Sequence, residues 1–134
     1  MTAPVHVTAL YAAILALVFV GLSVRTIRLR RGARVAIGDG GDKRLARAMR
    51  VHANFAEYVP LALLLIYLVE AGGAPPLAIH LLGSALLVGR LLHAWGVSQA
   101  REDFRFRVAG MALTFSSIVS AALALLYRSL AGML

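Results

Sequence analysis

The chain has 134 residues, 60% of them hydrophobic and only 15% charged, with a mean hydropathy of +0.81. A soluble domain of this size would be about a quarter charged, so the composition excludes one and points to an integral membrane protein. The absence of cysteine excludes a disulfide framework, a thiolate metal site and a cysteine nucleophile. The net charge of +8 would suit nucleic acid, but its placement in short loops between apolar stretches argues against that partner.

The first apolar stretch, roughly His6 to Val24, is free of formal charge, and its helix is expected over about 6–27. Basic residues follow it instead of preceding it, which is unlike a cleavable signal peptide. Arg25, Arg28, Arg30, Arg31 and Arg34 come directly after, which sets that end in the cytoplasm and the N-terminus outside. The same arginines also suit anionic lipid headgroups. Gly38-Asp39-Gly40-Gly41-Asp42 then forms a flexible turn. It lacks the Gly-Lys-Ser/Thr ending and the preceding strand of a phosphate loop, so it is a linker.

A second helix is expected over 43–70, about 40 Å long against a hydrocarbon core of ~30 Å, so its first turns project into the cytoplasm. Within it, Arg50, Asn54 and Glu57 fall in one narrow arc. Pro60, just beyond, leaves the carbonyl of Ala56 without its usual donor and is expected to kink the helix. His52 lies about 200° around from Arg50 and is expected at the membrane interface. Gly72-Gly73-Ala74-Pro75-Pro76 is a turn without basic residues, as an outside loop should be. The third helix, 77–97, carries small residues that permit close contact and bears Arg90, His93 and Trp95 towards its inner end. The loop from Arg101 to Arg107 is strongly charged, and the fourth helix is expected over 107–128. Of the fourteen Lys and Arg residues only Arg128 falls on the outside, so both termini face out and both charged loops face in. The chain thus reads as a single all-α, four-span membrane domain, 1–134.

A base, an amide and an acid on one face of an apolar helix permit two readings. One is interhelical glue, with the acid neutralised by arginine. The other is a binding site, because ionisable groups at membrane depth face a bundle interior or a wet cavity. Arg90 and His93 on the third helix, with Arg105 and Arg107 at the start of the fourth, add cations at the same depth. The excess positive charge favours an anionic ligand, and the planar fork of arginine suits carboxylates. The scattered histidines give no metal site; His6 and His80 are isolated near the outer surface. Tyr58 and Trp95 fit an interfacial aromatic belt.

Arg50-x-x-x-Asn54-x-x-Glu57-Tyr58, followed by Pro60 and an apolar run, resembles the signature of the MAPEG family, the membrane-associated proteins of eicosanoid and glutathione metabolism. The resemblance extends to four spans, a basic first inside loop, Gly89-Arg90-Leu91-Leu92-His93-Ala94 in the third helix and Arg107-Val108-x-Gly110 opening the fourth. Being short and without extra domains, the chain is similar to bacterial members.

The resemblance implies a homotrimer of four-helix bundles in the bacterial inner membrane, with glutathione as co-substrate between subunits at the cytoplasmic end. Arg50, Asn54, Glu57 and Tyr58 would bind it, with Arg90 and His93 among the surrounding groups. Arg107, or alternatively Arg105, would stabilise its thiolate for attack on a lipophilic electrophile or hydroperoxide from the bilayer. Several eukaryotic family enzymes carry tyrosines where this chain has His93 and Val97. The family also includes a member that binds lipid without catalysis, so a non-enzymatic lipid-binding or scaffold role is the first alternative. A small multidrug exporter is the second; it would need an acid in mid-membrane, commonly in the first helix, and that helix has none.

Overall fold

The computed structural model describes residues 7–101 and 103–132; His6 and Glu102 lie outside them. Four α-helices follow one another: α1 (Val7–Ala33), α2 (Lys43–Ala71), α3 (Pro76–Ser98) and α4 (Phe104–Leu130). Among the described residues there is no strand. All four helices are long and apolar enough to cross a membrane.

Helix α1 runs through its basic stretch instead of stopping at the last apolar residue. Arginine is a good helix former, and nothing between Val24 and Ala33 breaks the backbone pattern. The helix stops where Arg34 takes a left-handed conformation, φ 54°. There the Val35 N–H donates to the Arg30 carbonyl at 3.1 Å, closing the last turn. Arg30 reaches forward to the carbonyls of Ala36 and Gly38, at 3.1 and 2.9 Å, and so shapes the linker.

The other boundaries are set by caps. Asp42 accepts from the N–H groups of Arg44 and Leu45 at 2.7 and 3.1 Å and starts α2. Asp103 accepts from Arg105 N–H at 2.9 Å and starts α4. Pro75 and Pro76 open α3, where the missing N–H costs nothing. Pro60 sits inside α2, which continues unbroken to Ala71.

Helix α2 lies against the other three, and α3 and α4 make the most extensive pairing. Among the described residues α1 does not closely approach α4. The core is apolar, with Leu15, Phe55, Val59, Ala62, Ile66, Ile79, Leu86 and Ala121 enclosed. Large apolar residues also cover the outside, Leu17 at 75% exposure and Leu77 at 69% among them. An outer surface of this kind suits a hydrocarbon solvent.

At the end away from the arginine-rich segments, Glu70 of α2 accepts from the N–H groups of Val7 and Thr8 at 2.5 and 3.1 Å. A carboxylate from one helix thereby satisfies the free donors at the start of another. Arg128 of α4 donates to the carbonyl of Gly72 beyond the end of α2.

Candidate functional site

The arc holding Arg50, Asn54 and Glu57 lies on the border of the buried face of α2. Val51, Phe55, Val59 and Ala62 mark the inward direction. Asn54 is on their side, 6% exposed, whereas Arg50 and Glu57 are exposed. The amide thus points into the bundle while the two charged groups remain outside it. Further along the helix the same outer stripe continues through Leu61 and Leu64, 51% and 54% exposed.

Asn54 is turned inward by Arg90, the largest fully buried side chain, at 1% exposure. Its Nη1 donates to Asn54 Oδ1 at 2.7 Å and its Nε to Thr114 Oγ1 at 3.0 Å. Its Nη2 lies 3.2 Å from Met111 Sδ. None of these acceptors carries a charge. The guanidinium from α3 therefore joins α2 to α4, and Thr114 in turn donates to the Gly110 carbonyl at 2.8 Å. Tyr58 completes the enclosure, its ring centroid 5.7 Å from Arg90 Cζ and edge-on to Phe115 at 5.4 Å.

This arrangement depends on a close α3–α4 crossing made by two glycines. A β-carbon at Gly89 would lie 2.8 Å from the Gly110 carbonyl oxygen; one at Gly110 would lie 2.6 Å from both Gly89 O and His93 N. Contacts that short are not tolerated, so both positions need glycine for space, not for conformation. His93, 4% exposed, is enclosed at this crossing.

One turn before Gly110, Arg107 begins the same face of α4 and is half-buried, while Arg105 is exposed. Gly96 of α3 packs closely against Phe106 and the Arg107 backbone, and Phe106 stands edge-on to Trp95 at 4.6 Å. The structure thus distinguishes the two arginines: the Arg107 backbone packs at the α3–α4 seam with its residue half-buried, and Arg105 is exposed.

Two histidines have partners that single-helix reasoning did not supply. His52 is half-buried against α1, 3.0 Å from Ser23 Oγ and stacked on Phe19 with centroids 4.7 Å apart. His80 Nδ1 is 3.1 Å from the Tyr11 hydroxyl, and the Tyr11 ring occupies the space left by Gly83. Pairing such residues needs knowledge of which helices adjoin. The only local signal was a polar ring among apolar neighbours.

Taken together, α2 presents a cation and an acid on one exposed stripe, with an amide between them fixed from behind. Opposite charges at this spacing are chemically suited to the carboxylate and ammonium of a zwitterion. The model of the MAPEG family matches residues 8–127. Two relatives, each named inner membrane protein YecN, come from Escherichia coli K12 and from an O6:H1 strain of the same species. Each is 40% identical over 121 residues, covering 90% of this chain and 91% of its own length.

Proposed function

The chain belongs to the MAPEG family, and from that premise we propose that it is a glutathione-binding protein of the bacterial inner membrane that acts as a transferase or peroxidase on lipophilic substrates. The observation that carries this reading is the pair Arg50 and Glu57, exposed on either side of an Asn54 whose amide oxygen is held by buried Arg90. Glutathione offers two carboxylates, an α-ammonium, two amides and a thiol. Arg50 takes a carboxylate through its fork and Glu57 takes the ammonium. Asn54, its oxygen already engaged, presents its NH₂ to an amide carbonyl, with Tyr58 beside it. Arg90 contributes by positioning Asn54, and His93 by supporting the α3–α4 seam next to Arg107.

Arg107 stabilises the thiolate, since a nearby guanidinium in a low-dielectric site favours the charged form. With an electrophile, a carbon–sulfur bond forms as the leaving group departs with its electron pair. With a hydroperoxide, the thiolate takes the terminal oxygen and the released alkoxide is protonated. A second glutathione then converts the sulfenic acid to disulfide and water.

The same stripe supports a homotrimer. Charged groups such as Arg50 and Glu57 are costly against lipid, and a neighbouring copy laid over them would remove that contact and close the site. The charged loops and the site face the cytoplasm. Calorimetric titration of the detergent-purified protein with glutathione tests the reading; saturable binding is expected, and its absence would overturn the assignment.

One observation favours a second reading, a lipid-binding member without catalysis. His93 and Val97, standing where several eukaryotic family enzymes carry tyrosines, are 4% and 6% exposed and supply no hydroxyl to a thiol. Under that reading glutathione, if bound, would show no thiolate absorbance near neutral pH.

A further inference from the structure

At the arginine-rich end, a cavity of about 800 Å³ opens between α1, α2 and the end of α3. Its size falls among pockets that hold drug-sized molecules. Five cations line it: Arg25 and Arg28 from α1, and Lys43, Arg44 and Arg47 from α2. Among the described residues no acidic side chain lines it. Two helices with other faces available instead turn their cations towards a shared space, where like charges repel unless a counter-charge is present.

Two of these groups are distinguished by their hydrogen bonding. Arg25 Nη1 donates to Ser98 Oγ at 2.7 Å, and Ser98 donates to the Ala94 carbonyl at 2.5 Å, so this guanidinium is held in place. Arg47 Nη1 is buried and has no hydrogen-bond partner among the described residues. A buried guanidinium N–H without an acceptor is rare and calls for one. On the membrane side of these cations the wall is apolar, formed by Gly21 and Val24. Gly21 has nothing within 4 Å of where a β-carbon would stand, which leaves an open path along α1.

We propose that this cavity binds the phosphate headgroup of an anionic phospholipid, with the glycerol and upper acyl chain lying along Gly21 and Val24. Guanidinium forks match phosphate geometry, and several donors converge on one group. The apolar wall continuous with the cations favours an amphiphile over a soluble phosphate. The site is separate from the Arg50–Glu57 stripe and does not depend on glutathione chemistry.

Native mass spectrometry of the detergent-purified protein tests this with phosphatidylglycerol, phosphatidylcholine and inorganic pyrophosphate as probes. Phosphatidylglycerol should be retained at least about tenfold better than phosphatidylcholine, and Arg28→Gln and Arg47→Gln should each cost about fivefold. Arg31→Gln, which removes an exposed cation outside the cavity, should cost much less. Gly21→Leu should weaken phosphatidylglycerol and leave pyrophosphate unchanged. Equal retention of the two lipids, or equal losses with Arg31→Gln, would overturn the proposal. Pyrophosphate displacing the lipid, with Gly21→Leu silent, would assign the cavity to a soluble phosphate instead. Displacement by glutathione would merge the cavity with the glutathione site and overturn its independence.

Discussion

Arg90 and Asn54 lie 36 positions apart and belong to different helices, yet Arg90 Nη1 meets Asn54 Oδ1 at 2.7 Å inside the bundle. This one bond links the fold to the candidate site. It commits a buried charge to holding an amide whose neighbours on the same arc face outward.

Replacing Arg90 should therefore damage stability first. Arg90→Leu leaves Asn54 and Thr114 without their donor and should cost about 2–4 kcal/mol. Arg90→Lys should recover little, because an ammonium cannot reproduce the fork that spans α2 and α4. Thermal unfolding in detergent measures both. A melting temperature unchanged by Arg90→Leu would show that the linkage carries no weight.

Arg50 and Glu57 should behave in the opposite way. Both are exposed in the single chain, so Arg50→Ala and Glu57→Ala should leave the subunit fold intact. Glutathione binding should weaken by about 2–5 kcal/mol, because each change strands a charged group of the ligand in a desolvated site. Calorimetry on variants of wild-type oligomer size is the measurement. Full affinity in both would return the trio to interhelical glue.

Arg107→Ala should leave glutathione binding largely unchanged while shifting thiolate absorbance to higher pH. The sign follows from charge: the thiol is neutral before it ionises, so the guanidinium favours only the deprotonated form. Turnover with a model electrophile should fall by up to about tenfold per unit of that shift. The greater nucleophilicity of a more basic thiolate recovers part of the loss. Arg105→Ala, on an exposed position, should do much less.

The glycine crossing gives a paired prediction. Gly110→Ala forces a methyl against Gly89 O and His93 N, and should cost about 1–3 kcal/mol by pushing α3 from α4. Gly21→Ala meets open space and should be neutral or stabilising by up to about 1 kcal/mol, through helix propensity. Comparable melting losses in the two variants would contradict the close crossing.

Because the chain has no cysteine, its orientation can be read with single introduced thiols. Cysteines at Gly40 and Asp103 should label only from the cytoplasm, and one at Gly73 only from outside. Reversal at any of the three would move the site to the other face of the membrane.

The four helices were legible because long apolar runs punctuated by Gly, Pro and Asp have few alternatives in a membrane. The i, i+4, i+7 spacing likewise placed Arg50, Asn54 and Glu57 together. Periodicity along one helix does not reveal where its neighbours stand. The inward turn of Asn54 thus waited on Arg90, a residue from another helix. The surroundings of His52 are hidden for the same reason: its partners, Ser23 and Phe19, come from α1. The extent of α1 was obscured by a different cause. Its arginines end the apolar run without ending the helix, and the backbone turns only at Arg34.

The carboxylate of Glu70 at the start of α1 has a mechanical consequence. Helices in lipid have no hydrophobic penalty for sliding along one another, so axial register must be held by something else. Glu70 fixes one end of α1 to α2, and Arg25 fixes the stretch near the other end to α3 through Ser98. A piston stroke of α1 would break both attachments at once.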